Sequence, residues 1–74
     1  MTHMFTAVFE EAEEGGYTAF VEELPGAISQ GETLEEAREN LKEAIQLVLD
    51  ANRELAMRGV DEAHLIRETI VVTE

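Results

Sequence analysis

The sequence predicts a single α+β domain with the element order βββαβ: an antiparallel meander plus a fourth strand, with one long helix packed on one sheet face. Three observations support this fold class. Short alternating runs fill the first 31 residues, a long stretch with helical spacing follows, and another alternating run lies near the end. A chain of 74 residues has room for one domain, which we assign to residues 1–74.

The first two strands are predicted to form a hairpin. Residues 5–9 are rich in strand formers and alternate so that Phe5, Ala7 and Phe9 share one face, and residues 17–21 alternate again, as one face takes Tyr17, Ala19 and Val21. Between them, an acidic run leads into Gly15 and Gly16, and adjacent glycines after a charged run are a strong turn signal. Two alternating runs joined by a loop that contains glycine are typical of a β-hairpin.

The segment from residue 24 to residue 31 predicts a turn and a third strand. In Leu24-Pro25-Gly26, proline at the first central position and glycine at the second favour a type II turn, because only glycine accepts the positive φ at low cost. Residues 27–30 then form a short predicted strand that Gly31 closes.

The helix is the clearest element of the sequence. Thr33 and Glu36 form a capping box, in which the threonine hydroxyl serves a free amide and Glu36 reaches back to the cap. Gly59 offers a left-handed stop, with Arg58 in the last turn. The predicted helix has about 25 residues and is about 38 Å long. Its apolar positions recur at helical spacing: Leu34, Ala37, Leu41, Ala44, Ile45, Val48 and Leu55.

The end of the chain predicts a linker, residues 60–65, and a fourth strand, residues 66–73. One helix cannot cover both faces of a four-stranded sheet, and a sheet also exposes open edges. A chain of this size without cysteine has neither disulfides nor thiolate metal sites to stabilise it. We therefore expect a homodimer or a higher homo-oligomer.

The charge balance narrows the classes of partner. Seventeen acidic residues against five basic ones give a net charge of −12. This balance argues against direct binding of nucleic acid and against docking on anionic membranes. It favours a basic protein partner, or is simply a well-solvated surface. With no long apolar run and no signal peptide, we expect a cytoplasmic protein.

Between residues 15 and 45 the sequence resembles the HicB-like antitoxin family of toxin–antitoxin systems. Five pieces carry the resemblance, in order: a Gly-Tyr that opens the second strand, a Leu-Pro-Gly turn, a single glycine, Thr-x-x-Glu-Ala, and Asn-x-x-Glu-Ala-Ile. No piece is diagnostic alone, but their order and separation are specific. The motif residues, to which we assign structural roles, are Gly16, Tyr17, Leu24, Pro25, Gly26, Gly31, Thr33, Glu36, Ala37, Asn40 and Ala44.

The resemblance implies both a fold and a role. The fold is a degraded ribonuclease-H-like domain, which agrees with the element order above. The role is to neutralise a small, basic, mRNA-cleaving toxin of the HicA-like type by covering its active site. Many relatives also carry a C-terminal DNA-binding segment, but this sequence stops after the fourth strand, so operator binding is not carried over. The alternative is an orphan homo-oligomeric interaction domain without a toxin.

A ribonuclease-H-like fold calls for a search for metal-binding carboxylates, which would have to converge on one point. The middle of the first strand has no acid, and the available candidates, Glu10, Glu36, Glu43 and Glu68, are scattered along the sequence. We therefore expect no catalytic residue, no metal and no cofactor. A degenerate metal-dependent nuclease remains the less favoured alternative.

The candidate partner-binding residues are the acids of the predicted hairpin. They are Glu10, Glu11, Glu13, Glu14, Glu22 and Glu23. Such a cluster suits a basic toxin surface. It equally suits an acidic hairpin that only prevents edge-to-edge aggregation.

Overall fold

The computed structural model describes residues 4–73 and contains one antiparallel sheet and one long helix. The strands are β1 (Ala7–Glu11), β2 (Tyr17–Val21) and β3 (Ile28–Gly31), arranged in the order β1-β2-β3. The helix α1 spans Leu34–Met57 and is followed by a short 3₁₀ turn at Glu62–His64. The α+β class is confirmed.

The hairpin forms as predicted, although β1 lies two residues later than the alternation indicated. Glu11 pairs with Tyr17, so the ladder continues into the acidic run. The loop is closed by a hydrogen bond from the Ala12 N–H to the Gly16 carbonyl, at 3.1 Å. Gly15 and Gly16 have φ values of 99° and 81°, which a residue with a side chain rarely adopts. The chain can therefore reverse tightly, and this lets two charged residues join the strand.

The turn before β3 also agrees with the prediction. The Ala27 N–H donates to the Leu24 carbonyl at 3.2 Å, and Gly26 has a φ of 94°. This is the geometry that a type II turn requires at its second central position. β3 begins and ends one residue later than predicted.

The helix begins and ends close to its predicted bounds. Thr33 is the N-cap, and its hydroxyl accepts from the Glu36 N–H at 3.1 Å. The Glu36 carboxylate accepts from the Glu32 N–H at 3.4 Å, one residue before the cap rather than at the cap itself. At the other end Arg58 is the C-cap, and Gly59 has a φ of 77°.

The core is small and lies between the helix and one face of the sheet. Paired residues share a face, so β1, β2 and β3 contribute Phe9, Ala19 and Ser29 to the helix side. Within the described residues, three of the six buried apolar side chains are alanines, and this allows a close approach of helix and sheet. The six are Ala19, Val21, Leu24, Ala27, Ala37 and Leu41. Phe5, Phe9, Tyr17, Ile45, Val48 and Leu49 pack around them.

The predicted fourth strand is not formed in this structure. Residues 66–73 have no strand partner among residues 4–73 and are exposed to solvent. The alternation that predicted a strand is real, but a strand also needs a neighbour that accepts and donates its backbone hydrogen bonds. Within one chain, the sheet ends at β1 on one side and β3 on the other. We call residues 65–73 the C-terminal tail.

No helix within residues 4–73 has the combined length and apolar character needed to cross a membrane.

Candidate functional site

The six candidate acids do not lie together. The β1–β2 hairpin separates five of them into two groups at opposite ends of the sheet, and Glu10 lies apart from both groups. Glu11 pairs with Tyr17 beside the hairpin loop, whereas Glu22 donates its backbone N–H to the Thr6 carbonyl at the other end. The two groups are separated by the length of a five-residue strand, about 17 Å. A single partner surface therefore meets one group or the other first.

The hairpin-loop end gathers acids from three parts of the chain. Glu14 from the loop, Glu32 from the segment after β3, and Glu36 from the first turn of α1 line one open cleft of about 530 Å³. Glu11 and Glu32 line a shallower depression beside it. We call this surface, formed by Glu11, Glu13, Glu14, Glu32 and Glu36, the acidic end. All five side chains are exposed.

Two glycines bring the elements of the acidic end close together. A Cβ on Gly31 would overlap the Ala37 N and lie 2.9 Å from its Cα, so only glycine lets β3 pass this close to the first turn of α1. A Cβ on Gly16 would lie 3.0 Å from the Gly31 carbonyl oxygen. The hairpin loop, the end of β3 and the start of the helix therefore meet at one place.

Asn40 fixes the outer edge of the sheet beside this cleft. Its Nδ2 donates to the Gln30 carbonyl oxygen at 2.8 Å, across the gap between α1 and β3. That carbonyl lies on the outer edge of β3, where no further strand of the described chain accompanies it. The side chain therefore satisfies a backbone group that a neighbouring strand would otherwise have to satisfy.

Five of the motif residues line the same cleft, namely Gly16, Tyr17, Gly31, Glu36 and Asn40. The others are distributed elsewhere. Leu24, Pro25 and Gly26 form the turn before β3, Thr33 caps the helix, and Ala37 and Ala44 lie on its sheet-facing side. The motif residues thus lie mainly at two places: the junction of the hairpin loop, β3 and α1, and the turn that precedes β3.

The opposite end of the hairpin has a structural carboxylate. Glu23 accepts from the Thr6 N–H and from the Thr6 hydroxyl, both at 2.7 Å. The hydrogen bond from the Thr6 hydroxyl, and next the one from its backbone N–H, lower the pKa of Glu23 below 4.5. Glu23 therefore holds the entry to β1 against the end of β2. Its neighbour Glu22 is exposed.

Glu10 differs from both groups because its side chain is on the open face of the sheet. On that face Val8, Phe20 and Ile28 form one cross-strand row, and Glu10 lies two residues along β1 from this row. Phe20 is 39% exposed and Ile28 is 62% exposed. Glu10 thus borders an uncovered apolar row rather than the cleft.

Across residues 4–73, no three His, Asp or Glu residues lie together in an arrangement that could hold a metal ion.

The sequence analysis missed Glu32, and it considered Glu36 as the capping-box carboxylate and as a scattered metal-ligand candidate, but not as a partner-binding residue. Glu32 stands between Gly31 and the N-cap, where neither strand nor helix periodicity applies. The available signal was Gly31, because a glycine that ends a strand just before a helix N-cap indicates that the two backbones approach closely. A close approach of that kind brings the flanking carboxylates into one surface.

Comparison with known proteins places the sequence among a group of small microbial proteins. The family model described as UPF0150-like matches residues 2–55. A UPF0150 protein of Synechocystis sp. is 48% identical over 67 residues, which cover 90% of this chain and 92% of that protein. A UPF0150 protein of Helicobacter pylori is 52% identical over 46 residues, 62% of each chain. One from Archaeoglobus fulgidus is 41% identical over 49 residues, covering 66% of this chain and 71% of the relative. No solved structure gives a significant match.

Proposed function

Since this chain belongs to the UPF0150-like family, we propose that it is a non-catalytic, acidic binding module of the HicB-like antitoxin type, or a stand-alone relative of that type. Its target would be a small, basic, mRNA-cleaving toxin. Binding would be steric: the acidic end docks on the basic surface that holds RNA and keeps the substrate away. The resemblance of the motif residues to the HicB-like signature motivates this role, and the charge distribution supports it.

The observation that carries the proposal is the uninterrupted acidity of the first half of the chain. Residues 1–37 contain nine acidic residues and no lysine or arginine. Five of the nine belong to the acidic end. Four of them, Glu11, Glu14, Glu32 and Glu36, line its cleft and the depression beside it, where Gly31 and Gly16 bring three elements together. An RNA-cleaving protein needs a basic surface to hold phosphates, so such a surface complements this one.

Docking through exposed carboxylates predicts that the rate of toxin binding depends strongly on the salt concentration. Exposed carboxylates attract a basic partner over about one Debye length, which is about 10 Å at 0.1 M salt. Association should therefore slow as the salt concentration rises, whereas dissociation should change less. For an interface dominated by apolar contacts, the association rate would not fall in this way as the salt concentration rises.

The first experiment is co-expression. Any small basic reading frame that lies beside this one in the genome is expressed alone and together with the full chain, and growth is recorded. Expression of the basic protein alone should arrest growth, and co-expression should restore it. If co-expression fails to restore growth while both proteins accumulate, the antitoxin role is wrong.

The second experiment locates the surface with a matched pair of triple variants. Glu11→Gln, Glu13→Gln and Glu14→Gln remove three charges from the acidic end. Glu43→Gln, Asp50→Asn and Glu54→Gln remove three exposed charges from the remote part of α1. Exposed ion pairs contribute roughly 0.2–1 kcal/mol each, so the loss of three should weaken toxin binding roughly 3- to 150-fold in a calorimetric titration. Equal weakening by both triples would show that net charge acts without a defined acidic surface.

The alternative is an orphan homo-oligomeric interaction domain. The exposed apolar side chains of the tail and of the open sheet face favour it, since such residues are usually covered in a folded protein. Growth arrest that the full chain does not relieve, together with a stable homo-oligomer in light scattering, would select this function instead.

A further inference from the structure

The C-terminal tail is the most exposed apolar segment of the described chain. Ile66, Ile70, Val71 and Val72 are between 79% and 88% exposed. Covering a branched apolar side chain of this size contributes about 1.5–3 kcal/mol. The segment alternates, with Ile66, Ile70 and Val72 on one side of a potential strand, and it is rich in β-branched residues. It has the pattern of a strand and lacks only a neighbour.

The outer edge of β1 is a suitable neighbour. The Glu22 N–H donates to the Thr6 carbonyl and the Ala12 N–H donates to the Gly16 carbonyl, which fixes the even-numbered residues as the hydrogen-bonded pairs with β2. In an antiparallel ladder the alternate residues then direct their backbone groups outward. These residues are Ala7, Phe9 and Glu11.

The other edge of the sheet is less available. On β3 the outward carbonyl of Gln30 already accepts from the Asn40 side chain. The helix passes so close to this end of β3 that a Cβ on Gly31 would overlap it. A strand added to β3 would have to displace Asn40, whereas a strand added to β1 displaces no hydrogen bond of that kind.

The distribution of charge favours contact between the tail and the sheet over contact between two sheets. Three of the five basic residues, Arg53, Arg58 and Arg67, lie in the end of α1 and the segment after it. Residues 1–37, which include all three strands of the described sheet, contain nine acids and no lysine or arginine. Two sheets would therefore repel each other strongly. Residues 53–74 carry three basic and five acidic residues, a net charge of only −2, so the C-terminal part of one chain meets the sheet of another with much less repulsion.

The shape of the chain separates the tail from its own β1. The helix has 24 residues and extends about 36 Å, roughly twice the length of a five-residue strand. The described chain measures 53 × 28 × 17 Å, with a radius of gyration of 15.9 Å. A compact domain of this length would have a radius of about 11 Å. The tail therefore leaves from the far end of the helix, where the sheet of another copy can receive it.

We propose that residues 66–73 of one copy form a strand along the outer edge of β1 of a second copy, and that the exchange is reciprocal. A two-fold dimer of this kind closes both open β1 edges and covers both tails with one type of contact. The fourth strand that the sequence predicts then forms between chains rather than within one. This interface does not depend on the existence of a toxin.

The test uses two variants of the full chain that carry the same change in charge. Ile70→Asp with Val72→Asp places carboxylates on the apolar side of the tail strand, and Thr69→Asp with Thr73→Asp places them on the other side. Because the tail contributes nothing to the buried core, both variants should fold. Protection of the Phe20 amide from hydrogen exchange, an amide inside the β1–β2 ladder, confirms that they do.

Light scattering and amide hydrogen exchange at a micromolar concentration give the readout. The unmodified chain should have the mass of a dimer, with slowly exchanging amides at Ala7, Phe9 and Glu11. The first variant should dissociate at least tenfold more readily, and those three amides should exchange fast. The second variant should stay dimeric with the amides protected.

Three results would overturn the proposal. An unmodified chain with monomer mass and protected β1 amides would mean that the tail pairs with its own sheet. Monomer mass with fast exchange at Ala7, Phe9 and Glu11 would mean that the edge stays open. Dimer mass with fast exchange at these residues would mean that the copies associate through another surface, such as the open sheet face.

Discussion

At the scale of single residues, the same residue type has different roles according to its neighbours. Glu23 and Glu22 are adjacent in sequence, yet only Glu23 holds Thr6 through two hydrogen bonds of 2.7 Å. Both bonds use the ionised carboxylate as the acceptor, and this lowers its pKa. A residue selected as a binding acid therefore contributes to the fold of β1.

This contact predicts a specific dependence on pH. The Glu23 pKa should lie below 4.5 in the folded chain, as measured by NMR titration, and should rise towards that value in Thr6→Val. Because the Glu23 pKa is lower in the folded state than in the unfolded state, the contact stabilises the protein fully at pH values above the unfolded-state pKa. This stabilisation is lost as the pH falls through the folded-state pKa.

Urea unfolding provides the matching stability measurement. Between pH 7 and pH 3 the unmodified chain should lose more of its free energy of unfolding than Thr6→Val does. Thr18→Val, which changes an exposed threonine on β2, should behave like the unmodified chain. Equal losses in all three proteins would mean that the contact with Glu23 contributes nothing to acid sensitivity.

At the scale of elements, the backbones of α1 and β3 lie close together because Gly31 has no side chain at their contact. Ala37 is fully buried beneath Gly31, and the Asn40 side chain donates to the carbonyl of Gln30, the residue just before that glycine. The first half of α1 therefore packs against the sheet through a close contact between the two backbones. Towards its end the helix runs on with exposed apolar residues such as Leu47 and Leu55, at 70% and 59% exposure.

Gly31→Ala tests the close approach. The added methyl group meets the backbone of Ala37, which cannot move aside as a flexible side chain would. The free energy of unfolding should therefore fall by about 1–3 kcal/mol in urea denaturation. Gln30→Ala, a change at the neighbouring exposed position of β3, should alter it by no more than about 0.5 kcal/mol. A Gly31→Ala protein as stable as Gln30→Ala would show that β3 and the helix are farther apart.

At the scale of the whole molecule, the net charge and the small core both limit the stability of the folded chain. A net charge of −12 on a chain of 74 residues opposes compaction, and in the described residues half of the six buried side chains that must offset this repulsion are alanines. Partners that are basic, or that cover the tail, should both stabilise the folded chain by binding it in preference to the unfolded one.

The repulsion predicts that salt stabilises this protein. Raising sodium chloride from 0.05 to 0.5 M shortens the Debye length from roughly 14 to roughly 4 Å. Screening worth about 1 kcal/mol would raise the Tm by roughly 4–8 °C in a domain of this size. The triple variant Glu11→Gln, Glu13→Gln and Glu14→Gln should show a smaller rise in calorimetry. A Tm that falls with salt would mean that attractive pairs, such as Lys42 with Glu39, outweigh the repulsion.

Local chemistry determined much of this fold from the sequence alone. The positive φ at Gly15, Gly16, Gly26 and Gly59, and the cap at Thr33, are set within a few residues, so the turns and the helix bounds were predictable. Alternation placed β2 correctly and β1 within two residues. The acidity that motivates a basic partner also follows directly from composition.

The tertiary structure alone decided which groups share a surface. It separated Glu22 and Glu23 from the hairpin loop, added Glu32 and Glu36 to the acidic end, and left residues 66–73 without a strand partner among residues 4–73. Periodicity reports which residues can form a strand, but a strand exists only where another backbone pairs with it. That pairing depends on distances between residues far apart in sequence, which no local pattern contains.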